Sequence, residues 1–70
     1  MPQFDPRLIS LMKNALEDVM SRVPLEHATP AVKAYLAECI LKAAAQGHTT
    51  YNELVSAASD QIHVIVSLFT

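Results

Sequence analysis

The sequence predicts an all-α fold: a small three-helix domain filling residues 1–70 as one unit, with helices at about 6–22, 30–46 and 51–68 and a dimer as its expected assembly. Two observations carry this. Three helix-start signals divide the chain almost evenly: Asp5-Pro6, Thr29-Pro30, and Thr50 with Glu53 three residues on. Each sets a side-chain acceptor beside the unpaired N–H groups of a first turn, and the first two add a proline where its missing N–H costs nothing. Between these signals, apolar residues recur at the three- and four-residue spacing of a helix face.

Helix 1 is marked by Leu8, Ile9, Leu11, Met12, Ala15, Leu16, Val19, Met20 and Val23, with Lys13, Asn14, Glu17, Asp18 and Ser21 opposite. Asp18 and Arg22 stand four apart in the favourable acid-first order. Pro24 disfavours helical geometry at Val23, so the stretch from Val23 to Ala28 is expected to be a short connection.

Helix 2 begins at Pro30 and reaches about Gln46, where Gly47 supplies the residue best able to adopt a left-handed closing conformation. Val32, Tyr35, Leu36, Cys39, Ile40, Leu41, Ala43 and Ala44 make it apolar around most of its circumference, which suits a central helix. Helix 3 opens on the Thr50-x-x-Glu53 capping box. Tyr51, Val55, Ala58, Ile62, Ile65 and Phe69 then alternate at four and three residues, and Leu54 and Leu68 widen the seam. Val64 and Val66 fall outside it, so the tail is apolar nearly all round. Its β-branched residues also allow a strand over Ile62–Leu68, but the seam runs on without a break and no turn signal precedes Ile62.

Composition bounds what the chain can do. Seventy residues hold one core, worth roughly 3–10 kcal/mol of stability at the usual value per residue. Hydrophobic residues make up 51% and charged residues 17%, an apolar balance for a domain with so high a surface-to-volume ratio, so part of that surface is expected to meet another chain. The single cysteine, Cys39, rules out an internal disulfide framework and fits a reducing, cytoplasmic setting. Met1-Pro2-Gln3-Phe4-Asp5 lacks the basic start and apolar run of a secretory signal, and no stretch approaches membrane-spanning length.

No catalytic, cofactor-binding or metal-binding residue is expected. Cys39 has no closely spaced Cys or His, and His27, His48 and His63 show no ligand spacing. Gly47 is the only glycine, which excludes a glycine-rich phosphate loop, and adjacent Glu17 and Asp18 point about 100° apart on a solvated face. The turn around Gly47 is compatible with a helix-turn-helix DNA-binding regulator, the alternative reading. However, all five basic residues precede position 43, and helix 3 offers Asn52, Gln61 and His63 beside acidic Glu53 and Asp60.

The apolar tail is the feature that most invites a functional reading. The expected function is non-enzymatic helix–helix association, a homodimer or a protein partner held by helix 3 and the exposed flank of helix 2. Leu54, Ile62, Ile65, Val66 and Phe69 are the candidate interface residues.

The elements Phe4-Asp5-Pro6, Leu11-Met12, Ala15-Leu16, Thr29-Pro30-Ala31-Val32-Lys33, Leu36-Ala37-Glu38, Ile40-Leu41 and Ala43-Ala44 resemble a group of short uncharacterised proteins of rhizobia and related α-proteobacteria. The resemblance covers roughly positions 4–58. It implies a bacterial cytoplasmic protein and transfers no activity or site; the tail after Ala58 departs from the group's pattern.

Overall fold

The structure, a computed structural model, describes residues 5–69, the Phe69 side chain excepted. It is an all-α fold in which α1 (Pro6–Arg22), α2 (Pro30–Ala45) and α3 (Tyr51–Ser59) pack on one another and α4 (Ile62–Phe69) prolongs α3.

Each of the first three helices starts where its cap directs. The Asp5 carboxylate accepts from the Arg7 N–H at 2.7 Å, and Thr29 Oγ1 from the Val32 N–H at 3.2 Å, each ahead of a proline in the first turn. At α3 the capping box closes both ways: Thr50 Oγ1 accepts from the Glu53 N–H, and Glu53 Oε1 accepts from the Thr50 N–H, both at 3.3 Å. Ends are as well defined. Pro24 holds Val23 extended (φ −76°, ψ 132°), and the connection that follows contains one 3-10 turn, Leu25–His27. After α2, Gly47 adopts φ +100°, its N–H bonding to the Ala44 carbonyl at 3.1 Å and that of His48 to the Ala43 carbonyl at 2.9 Å. This is the paired closure that a left-handed residue makes possible.

Residues 62–69 are helical, so the strand alternative falls away. The long third helix is nevertheless interrupted at Asp60–Gln61. There the Gln61 N–H reaches only three residues back, to the Ala58 carbonyl at 3.0 Å, before the Ile65 N–H resumes the ladder on the Gln61 carbonyl. Ser59 and Asp60 are weak helix formers. A carboxylate is unfavourable at the negative end of one helix and favourable before the positive end of the next. The backbone of Asp60 stays right-handed (φ −61°, ψ −24°), and Ser59 Oγ is buried with no hydrogen-bond partner among the described residues. The break is a tightening of the helix, and α4 continues antiparallel to α2: Tyr35 meets Gln61, and Val32 lies beside Ile65.

Among the described residues the core comprises Met12, Ala15, Val19 and Val23 from the first helix and its end, Val32, Leu36, Ile40, Ala43 and Ala44 from α2, Leu54, Val55 and Ala58 from α3, and Ile65 from α4. Its alanines let the helix axes approach closely, and no aromatic ring is buried among the described residues. Two tyrosine hydroxyls fasten the periphery instead. Tyr51 Oη donates to Asp18 Oδ2 at 3.0 Å, joining α3 to α1, and Tyr35 Oη donates to Gln61 Oε1 at 2.7 Å, joining α2 to the α3–α4 break. Asp18 is therefore half-buried and structural, rather than the solvated decoration its spacing suggests; it also holds Arg22 at 3.4 Å.

Candidate functional site

Because α2 is apolar around most of its circumference and packs against α1 and α3, it has apolar side chains left over on both flanks. Tyr35 and Leu41 are 42% and 44% exposed. On the Tyr35 flank, α4 lies alongside and creates the candidate site. Ala31 and Tyr35, one turn apart on α2, face Val64 and Leu68, one turn apart on α4, across a groove of about 280 Å³ whose lining also includes Val32 and Ile65. Among the described residues, no charged side chain lines it. Its polar feature is the Tyr35 hydroxyl, engaged with Gln61.

The exposed members of this groove place apolar side chains in solvent one turn apart. Leu68 is 76% and Val64 47% exposed, on an element whose described residues carry no Lys, Arg, Asp or Glu. Fully burying a Val or Leu side chain is worth about 1.5–3 kcal/mol, so covering these two would yield roughly 2–4 kcal/mol per chain.

The sequence-derived interface residues divide unevenly over this site. Leu54 is fully buried and Ile65 is 5% exposed; both fill the chain's own core and are closed to a second molecule as the fold stands. Helix 3 buries this seam because it lies against α1 and α2 at once, which alternating apolar spacing alone cannot reveal. Ile62 packs half-buried against the same core and Val66 is half-buried. The Phe69 side chain lies outside the described residues. Val64 and Leu68, with Ala31 and Tyr35, are surface residues missing from that interface set, although Leu68 widens the seam and only Val64 lies outside it. The available signal was the one-turn spacing of Val64 and Leu68 on a tail that is apolar nearly all round.

Other depressions have different chemistry. Between α1 and α2, Ile9, Met12, Leu16, Ala37, Ile40 and Leu41, with Lys13, line a smaller and largely apolar groove of about 160 Å³. Between α2 and α3 a cleft of about 410 Å³ is mixed in character, with Glu38, Lys42, Gln46 and His48 around the half-buried Cys39. Next to it, His48 Nδ1 lies 2.8 Å from Glu53 Oε2. The Thr50 hydroxyl, then His48, then the Thr50 N–H hold the Glu53 carboxyl below the ordinary range for a glutamate. Partial desolvation and the bond to Asp18 push the Tyr51 hydroxyl above its usual value. Both perturbed groups are explained by the helix ends they fasten. His27, in the connection between α1 and α2, has its ring largely covered and 3.7 Å from the Glu26 carboxylate.

Among the described residues, no group of three or more His, Cys, Asp or Glu side chains is arranged to hold a metal ion, and no helix is long and apolar enough to cross a membrane. The solvent-facing side of α3 presents Asn52, Glu53, Ser56 and, just beyond it, Asp60, a face whose charges repel phosphate. In comparisons with known proteins, no protein family, curated protein or solved structure matches this chain.

Proposed function

We propose that the protein is a non-enzymatic helical module that acts by self-association, pairing two copies through α4 and the neighbouring flank of α2. The observation that carries this reading is the outward pair Val64 and Leu68 beside Tyr35, an apolar ridge and groove on an element with no formal charge. A surface without charge gives a partner nothing electrostatic to read, so recognition rests on shape and apolar area. A two-fold pairing supplies both by setting the same ridge against its own copy. Two copies double the gain from Val64 and Leu68 to roughly 4–8 kcal/mol, comparable to the lower end of the cost of bringing two molecules together. The expected dimer is accordingly of modest affinity and concentration-dependent.

The test is sedimentation equilibrium over a wide concentration range on the natural chain and on Leu68→Glu. Because Leu68 is exposed and Glu is a good helix former, the substitution leaves the fold within about 0.5 kcal/mol. The expected result is a dimer for the natural chain and a monomer for the variant at the same concentrations. A natural chain that stays monomeric throughout, or a variant that dimerises equally well, overturns the proposal.

A further inference from the structure

We draw no further inference here: the strongest candidate, the mixed cleft of about 410 Å³ between α2 and α3 around Cys39, Lys42 and His48, is framed by side chains that solvent already reaches and by a lone cysteine, with no buried, unpartnered polar group aimed into it to say what it would hold.

Discussion

Replacing Ile65 by alanine tests whether the candidate site is an integral part of the fold or an annex to it. Among the described side chains of α4, Ile65 is the one that is buried, at 5% exposed. Removing most of an isoleucine from a core ordinarily costs about 2–5 kcal/mol, a large share of the roughly 3–10 kcal/mol expected for a domain of this size. Yet α4 is a short terminal element, and its other described attachments are partial: Ile62 and Val66 are half-buried, and the exposed hydrogen bond from Tyr35 to Gln61 adds about 1 kcal/mol at most. With Ile65 truncated, the cheaper response is for α4 to detach while α1–α3 remain folded. The loss felt by those three helices is then capped by the docking free energy of α4. Ile65 burial contributes about 1.5–3 kcal/mol to that docking and the ordering of eight residues opposes it, so the cap lies below the roughly 2–5 kcal/mol of an ordinary core truncation. Native-state hydrogen exchange separates the cases, because it reads the opening free energy amide by amide. In Ile65→Ala, the amides of α4 from Val66 onward should lose nearly all protection while those of α1 and α2 fall by no more than that cap. In Leu36→Ala, which empties a fully buried site in the middle of α2, protection should drop by about 2–5 kcal/mol everywhere. Uniform loss in both variants would refute the reasoning and make α4 a full member of the cooperative unit.

Two further substitutions probe how the helix ends are built. At Gly47, φ is +100° and a β-carbon would meet no atom within 4 Å, so Gly47→Ala measures backbone strain without a clash. Urea denaturation should report a loss of about 1–2 kcal/mol, with Gly47→Asn losing less because Asn tolerates this conformation better. At Glu53, Thr50 and His48 favour the charged carboxyl and hold its pKa below the unfolded value of about 4.3. Its contribution is therefore fully present above that pH and fades as the pH falls through the folded-state value. Glu53→Gln, which keeps an acceptor for the Thr50 N–H but has no charge to lose, should show a shallower decline in urea midpoint between pH 5 and pH 3 than the natural chain. Identical pH profiles would show that the carboxylate contributes nothing.

Most of the architecture is written in residues that act locally. Asp5, Thr29 and Thr50 announce their helices because a cap needs only its own first turn, and Gly47 closes α2 for reasons contained within a few residues. The interruption at Asp60–Gln61 is harder to read. Ser59 and Asp60 are only mildly unfavourable in a helix, no glycine or proline marks the site, and the bond from Tyr35 that fixes Gln61 comes from 26 positions away. The candidate site is hidden for a related reason. Apolar spacing locates the seam of helix 3, but Leu54 and Ile65 face inward because α1 and α2 both border that seam. With one copy of the seam spent on the core, the surface left for a partner is the remainder, Val64 and Leu68, together with whatever α2 fails to cover. Asp18 illustrates the same limit: its helical spacing points to solvent, and only the arrival of Tyr51 from 33 positions away makes it structural.

The placement of the two tyrosines gives the unmodified chain a pair of optical probes. With no tryptophan in the sequence, its near-ultraviolet absorption and emission come chiefly from Tyr35 and Tyr51, and neither ring sits in the core. Tyr51 donates to a carboxylate on α1, a contact that quenches phenol emission and is released when α1 and α3 separate; Tyr35 instead signals the junction of α2 with the start of α4. Phenylalanine at either position leaves the other ring as sole reporter. Parting of the three-helix body and loosening of α4 can then be followed as two separate signals along a single denaturation curve.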